Sequence, residues 1–542
     1  MKQTSSNATR HPLQLTALIS LWLLVLPNFP LWRQLALLPE ISGLRGALFG
    51  LLFATAIGAL THALLMFLNW RWLLKPALTL FLLSAAMGAY FMWSYGIVID
   101  TPMLVNVLQT DPREAADLLN WRLLVSVCLL ALLPAWWLWR QPVRALRWGR
   151  QLGSNLLGLL ASLVVAAVSL LLIYQDFSSV MRNHTQLRFL INPLNSFYAL
   201  ADVMAKPLER DAGRLQAIGQ DARAVLPPGA APATLIVVVG ETARMGNFGI
   251  NGYTRDTTPR LAREDIASLR NVWSCGTGTA SSLPCMFSHL DKPSFEKRSQ
   301  NFESLVDVLH RAGLAVLWID NQSGCKGLCD RVPNTNTSRL KVAGLCLAGE
   351  CHDEVMLQEL DRRIAELPAE RRALGTVVFM HQMGSHGPAY HKRVPPDFKR
   401  FTPECASNAL QECDRQQVVN AYDNTIAYTD HFLAETIGWL KKRPGPSAMV
   451  YVADHGESLG ENNLYLHGLP YAIAPDVQKR VPWITWASGS FAQQRGLSLA
   501  CLRAKVQQPF SHDHYFHSVL GMSGVQSAEY KAELNLYASC MR

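Results

Sequence analysis

Five apolar stretches, at 15–32, 46–68, 77–95, 123–138 and 156–174, constrain this chain more than any other feature. Each approaches the roughly 20 residues that a helix needs to cross a bilayer, and each has Trp or Tyr near at least one end, as membrane interfaces favour. A cleaved signal peptide is the alternative for the first stretch. Four further spans follow it without an obvious small-residue cleavage site, so it reads as an anchor.

Basic residues orient these spans. Lys2 and Arg10 precede the first, Arg71 and Lys75 join the second to the third, and Arg140, Arg144, Arg147 and Arg150 join the fourth to the fifth. Those segments belong in the cytoplasm, and an odd number of spans carries everything after Tyr174 to the opposite side. Cysteine placement points the same way, because ten of the 11 cysteines lie beyond Gly240 and only Cys128 falls among the spans. Even parity and close spacing in an oxidising compartment predict local disulfides Cys275–Cys285, Cys325–Cys329, Cys346–Cys351 and Cys405–Cys413. Parity alone adds Cys501 with Cys540. A zinc ribbon is disfavoured, since the paired CxxC knuckles are missing. The net charge of +9 sits largely beside apolar segments and in no nucleic-acid module, so anionic lipid is the expected partner and nucleic acid is not.

The reading divides the chain into a transmembrane domain at 1–175, an interfacial helical linker at 176–230 and a periplasmic catalytic domain at 231–542. The linker mixes apolar and basic residues, and Pro227-Pro228-Gly229 closes it. In the outer-face loop at 97–121, Asn106, Thr110 and Glu114 recur at i, i+4, i+8 and would share one face of a helix. Pro112 threatens that helix, and a merely solvated face is the alternative.

Beyond the linker, β-rich runs at 234–239, 315–319, 376–380, 448–452 and 482–487 alternate with helical segments at 301–312, 353–365 and 416–440. Buried strands separated by helices indicate an α/β domain with a largely parallel central sheet. Ligands bind such sheets beyond the carboxyl ends of the strands. Polar residues gather there: Gly240-Glu241-Thr242-Ala243-Arg244 after the first run, His381 through Pro388 after the third, Asp454-His455-Gly456-Glu457-Ser458 after the fourth, and His467 soon afterwards.

The stretch Ser274-Cys275-Gly276-Thr277-Gly278-Thr279-Ala280-Ser281-Ser282-Leu283-Pro284-Cys285 is hydroxyl-rich and bracketed by cysteines. Small residues flank Thr279, and Ser281, Ser282 and Pro284 suit a helix N-terminus, whose free N–H groups attract anions. Threonine is a poor nucleophile until a metal or base activates it. A Zn2+ held by Glu241, Thr279, Asp454 and His455 would do so and would polarise a phosphoryl oxygen. His386 and His467 would bind phosphate, assist the leaving group or hold a second metal.

At these motifs the chain resembles the membrane phosphoethanolamine transferases that modify lipid A, the family that includes the mobile colistin-resistance enzymes. The pairs of cysteines look more like its chromosomally encoded branch. The resemblance implies an alkaline-phosphatase/sulfatase-like zinc domain behind a five-helix membrane domain in the bacterial inner membrane. It places the nucleophile on Thr279, zinc on Glu241, Asp454 and His455, and substrate or second-zinc roles on His386 and His467. It also implies a phosphoethanolamine site at Asn106, Thr110, Glu114, Ser323, Lys326 and His381. The implied reaction moves phosphoethanolamine from phosphatidylethanolamine to Thr279 and then to a phosphate of lipid A, lowering the negative charge that polymyxins bind. Transfer to Kdo or heptose of the lipopolysaccharide core, or hydrolysis by a membrane-tethered phosphodiesterase or sulfatase, are the alternatives. A monomer with one Zn2+, or with more, is expected.

Overall fold

The computed structural model describes residues 9–39, 41–110, 112–209, 211–226, 228–347 and 350–541. The side chains of residues 113–114, 206–209 and 211–214 lie outside that description. The chain divides into two compact units, one made of Met1–Leu104 and Leu119–Val203, the other of Val105–Leu118 and Met204–Arg542. This differs from the expected boundaries at 175 and 230. The outer-face segment Val105–Leu118 groups with the second unit although it lies between two spans in sequence, and the linker is split between the units.

In the first unit, four helices are long and apolar enough to cross a membrane: Gly43–Met66, Leu74–Tyr95, Trp121–Arg140 and Trp148–Leu172. The stretch at 15–32 forms two helices, Pro12–Val25 and Phe29–Ala36, bent by 48°, which make the fifth if the pair counts as one span. Pro27 lies in the break and Pro30 in the second helix's first turn, where a ring without an N–H is tolerated. The span Trp121–Arg140 contains a π-turn at Cys128–Leu132, just ahead of Pro134. Leu44, Leu157, Leu171 and Leu172 are exposed, as lipid-facing side chains should be. The buried polar side chains Asn69, Gln151 and Asn155 hydrogen-bond one another and the Asn69 carbonyl at 2.8–3.1 Å, which satisfies groups that lipid cannot.

The second unit is built on an eight-stranded sheet: β1 (Thr234–Gly240), β2 (Ile266–Trp273), β3 (Ala315–Asp320), β4 (Asn334–Asn336), β5 (Thr376–His381), β6 (Ser447–Ala453), β7 (Arg480–Ala487) and β8 (Phe510–Ser511), in the order β8-β2-β7-β6-β1-β5-β3-β4. β6, β1, β5, β3 and β4 run parallel, while β7 is antiparallel to both β6 and β2. Every residue of β1, β3, β5 and β6 is buried, which explains their unbroken apolar runs. The register aligns their ends: His381 pairs with Val239 and with Asp320, and Ala453 pairs with Gly240. The residues that follow therefore emerge side by side at one edge.

The helix Arg415–Lys442 starts at a capping box of Asp414 and Gln417 and packs on β6. The helix expected over 301–312 begins only at Leu305, because Gln300–Phe302 is a strand and Ser304 with Asp307 forms the cap. The helix expected over 353–365 is divided by Glu359 in a left-handed conformation, φ 56°.

Candidate active site

Two of the aligned strands and one helix deliver the chemistry. Glu241 follows β1, Asp454 and His455 follow β6, and all three side chains are fully buried. Thr279 is the first residue of the helix Thr279–Met286, so the helix starts earlier than the Ser281–Pro284 signal suggested, with Pro284 inside it. The Thr279 hydroxyl lies 3.0 Å from each Glu241 carboxylate oxygen and 3.3 Å from His455 Nε2. His455 Nδ1 lies 2.9 Å from the Gly456 carbonyl and donates to it, which turns Nε2, the nitrogen free to ligate a metal, toward Glu241 and Asp454.

Glu241, Asp454 and His455 each offer a ligand atom, all within 4.8 Å of one another. His455 Nε2 is 3.3 Å from Glu241 and 3.5 Å from Asp454. Four ligands each ~2.1 Å from a tetrahedral centre are separated by about 3.4 Å, so these donors and the Thr279 hydroxyl fit a small tetrahedral cation. Two fully buried atoms, Asp454 Oδ2 and His381 Nε2, meet no hydrogen-bond partner among the described residues. Asp454 is pushed up to about 6 by burial and by the charge of Glu241. Burial disfavours the His455 imidazolium, yet the Asp454 and Glu241 carboxylates raise it to about 10. Both shifts show a site whose carboxylates call for a positive charge.

Strain marks the same edge. Thr242, Lys326 and Leu466 hold positive φ (57°, 50° and 64°), beside Glu241, within the Cys325–Cys329 loop and beside His467. At Gly384, φ is 52° and a Cβ would stand 2.7 Å from the Glu241 carbonyl, so only glycine lets the loop after β5 pass under Glu241.

The histidines surround this centre. The His467 ring is 4.3 Å from that of His455, the His386 ring 5.9 Å from that of His467, and His381 Nε2 3.9 Å from Glu241. Ser323 and Lys326 form a second group, with the Lys326 ammonium 3.2 Å from the Ser323 hydroxyl and 3.4 Å from the Gln109 carbonyl. The Asn106 amide oxygen accepts from the Ala280 N–H at 3.2 Å. The i, i+4, i+8 stripe does not survive: one helix ends at Gln109 and another starts at Pro112, and Thr110 turns its hydroxyl onto the Asn106 carbonyl. The Glu114 side chain lies outside the described residues.

Supporting residues escaped the sequence reading. Asp320 binds His381 Nδ1 and the Trp318 indole with one oxygen, and the Gln322 and Gly324 N–H groups with the other, so it holds both His381 and the Ser323–Lys326 loop. Its place at the end of β3 was the available signal. Glu457, pushed up to about 8 by burial, takes the Tyr390 hydroxyl on one oxygen and meets His467 Nδ1 on the other at 2.8 Å. Asp353 accepts from the Met383 and Gly384 N–H groups. His512 receives the Cys275 N–H on Nδ1. The five expected cysteine pairs are bonded, and Cys128 is free.

Two family models match the chain, one over each part. The family model described as phosphoethanolamine transferase EptA/EptB matches residues 57–208, and the sulfatase model matches residues 233–525. Phosphoethanolamine transferase EptA of Escherichia coli K12 is 38% identical over 533 residues, covering 95% of this chain and 94% of its own. The chain belongs to the phosphoethanolamine transferase family. This transferase is also 36% identical to phosphatidylethanolamine transferase Mcr-1 of Escherichia coli, over 88% of its length and 89% of the relative's. The structure of the integral membrane lipooligosaccharide phosphoethanolamine transferase A from Neisseria meningitidis superposes with a TM-score of 0.92, at 34% identity, covering 98% of this transferase and 99% of that chain. The architecture is thus an N-terminal membrane domain and a sulfatase-like α/β catalytic domain, and the enzyme is an inner-membrane protein with its catalytic domain in the periplasm.

Proposed function

We propose that this transferase moves phosphoethanolamine from phosphatidylethanolamine to a phosphate of lipid A through a phosphoethanolamine-Thr279 intermediate. The observation that carries the reading is the Thr279 hydroxyl, at a helix N-terminus and within 3.3 Å of Glu241 and His455. In the first displacement Thr279 Oγ bonds to phosphorus, the bond to the diacylglycerol oxygen breaks, and diacylglycerol leaves with a proton. In the second, an oxygen of the acceptor phosphate bonds to phosphorus and Thr279 is released. Splitting one displacement into two lets a single pocket handle a lipid donor and a lipid acceptor in turn.

Glu241, Asp454, His455 and Thr279 would hold Zn2+. Bound there, the ion supplies Lewis-acid polarisation of a phosphoryl oxygen and favours the threonine alkoxide. Glu241 accepts the Thr279 hydrogen bond and aims its oxygen at phosphorus. His386 and His467 serve the leaving oxygen or a second Zn2+, with Glu457 fixing the ring of His467. Asn106, Thr110, Glu114, Ser323, Lys326 and His381 form the phosphoethanolamine site. The domain plan is transmembrane at 1–175, linker at 176–230 and catalytic at 231–542, with Val105–Leu118 contributed to the catalytic unit.

A lipid A phosphate is favoured over the Kdo sugar as acceptor because the chain is nearer to the EptA enzymes, 38% identical for that of Escherichia coli K12, than to the Kdo(2)-lipid A phosphoethanolamine 7''-transferase of Salmonella typhimurium, 26% identical. The added ammonium offsets a phosphate charge, so cationic peptides such as polymyxins bind the outer membrane less well. Mass spectrometry of lipid A from cells with and without the gene tests the acceptor. Purified enzyme given phosphatidylethanolamine and lipid A tests the reaction: modified lipid A supports transfer, and free phosphoethanolamine with unmodified lipid A supports the hydrolase instead.

A further inference from the structure

The helix that carries Thr279 lacks a side-chain cap of its own. Its N-cap is Gly278, which has nothing to offer the first N–H groups, although Ser, Thr, Asp or Asn normally fills that place. The missing acceptor comes from 174 residues away: Asn106 Oδ1 takes the Ala280 N–H at 3.2 Å. Gly278 is part of the fit, since a Cβ there would stand 2.3 Å from Asn106 Nδ2. Asn106 therefore caps the nucleophile helix in trans, and the cap exists only while the segment Val105–Leu118 stays docked on the catalytic unit.

Docking at the far end of that segment depends on one buried carboxylate. Asp117 is 6% exposed and receives Lys392 Nζ at 2.5 Å and Arg393 Nη2 at 3.4 Å. Asn408 Nδ2 adds bonds to the Asp117 carbonyl at 3.0 Å and to its carboxylate at 3.3 Å. Arg393 is itself buried, pairs with Glu350, and donates from Nε to the His386 carbonyl at 2.9 Å. One guanidinium thus ties the docked segment to the backbone of the His386 loop. Charge-assisted bonds of this kind are about twice as strong as neutral ones, and a buried carboxylate that loses them is costly.

We propose that Asp117 is a positioning residue: it latches Val105–Leu118 to Lys392 and Arg393, which keeps Asn106 on the Thr279 helix and sets the donor side of the pocket. The inference deepens the transfer reading above and rests on it. Asp117 touches no reacting atom.

The test uses the full-length enzyme in phosphatidylethanolamine-containing nanodiscs, with Asp117→Asn and, at the half-exposed partner, Lys392→Met. Asp117→Asn should speed amide exchange in 105–118 by about tenfold or more, the loss expected for charged hydrogen bonds. It should also raise KM for phosphatidylethanolamine more than it lowers kcat, while Asp117→Glu recovers part of both. Lys392→Met should shift both readouts in the same direction by less. Unchanged exchange in 105–118, or an equal fall of kcat with unchanged KM, overturns the latch. Failure of the wild type to form a phosphoethanolamine-Thr279 peptide overturns the transfer reading instead, while exchange in 105–118 still reports on the latch.

Discussion

His512 makes the nucleophile loop pH-sensitive in a direction that the structure dictates. Its ring is 1% exposed, with Nε2 3.0 Å from the Ala453 carbonyl and Nδ1 3.0 Å from the Cys275 backbone nitrogen. Nε2 donates to the carbonyl, so Nδ1 must stay unprotonated to accept from Cys275. Protonation would set two N–H groups against each other and pull the Cys275 end of the loop off its support. Burial holds this histidine down at about 3, against 6.5 when unfolded. The folded state then binds fewer protons than the unfolded state, so stability rises with pH: the contribution is complete above pH 6.5 and is lost as pH falls toward 3. With those two values, lowering pH from 7.5 to 4.5 removes on the order of 2–3 kcal/mol through this residue alone. That corresponds to roughly 3–5 °C in Tm for a domain of about 300 residues. Other groups titrate over the same range, so the informative quantity is the difference in slope between wild type and His512→Gln. Glutamine can accept from Cys275 and donate to Ala453 while staying neutral. The variant should be less stable at pH 7.5 and should lose less on acidification, as read by Tm in detergent across the range. Parallel Tm profiles for the two proteins would refute the assigned tautomer and its role.

Thr279→Ala should abolish transfer with Tm unchanged within about 2 °C, because it removes one hydroxyl from a loop still closed by its disulfide. Wild-type turnover in lipid A mass spectrometry would rule out Thr279 as the nucleophile. Glu241→Ala and Asp454→Ala should each lose activity together with bound metal, measured by elemental analysis; full metal content in both would contradict the ligand set. Gly384→Ala should cost about 1–3 kcal/mol from left-handed strain, and more from the approach to Glu241, and should lower metal content without touching a ligand. Gly438→Ala, inside the helix Arg415–Lys442 with open space around its Cβ, is the control and should keep metal content while Tm holds or rises slightly.

The membrane spans and the four central strands were legible because burial on all sides leaves an apolar run with a recognisable length. β2 was not, since its burial alternates and it carries Arg270 and Asn271 on the less covered face. Helix boundaries drifted where a cap decides them: Ser304 and Asp307 delay one helix, and the left-handed Glu359 divides another, neither of which a hydrophobic pattern records. The grouping of Val105–Leu118 with the catalytic unit had no sequence signature, because the contacts that hold it come from residues nearly 300 positions away.

At the site, the residues that emerge from parallel strands could be read in advance, because strand order and register bring Glu241, Asp454 and His381 to one edge whatever the loops between them do. The same rule pointed at Asp320, which ends β3 beside His381, and went unused because a lone aspartate at a strand end resembles any turn residue. Glu457, Tyr390 and His512 follow no such rule. They act through partners 10, 67 and 237 residues away, and only folding sets those distances. Asn106 is the instructive case. Helical spacing singled it out, and that helix is broken before Pro112, so the stripe cannot be what brings Asn106 to the site. What does so is an unfilled N-cap at Gly278 and the room that glycine leaves, a requirement of the nucleophile helix and not of the segment that meets it.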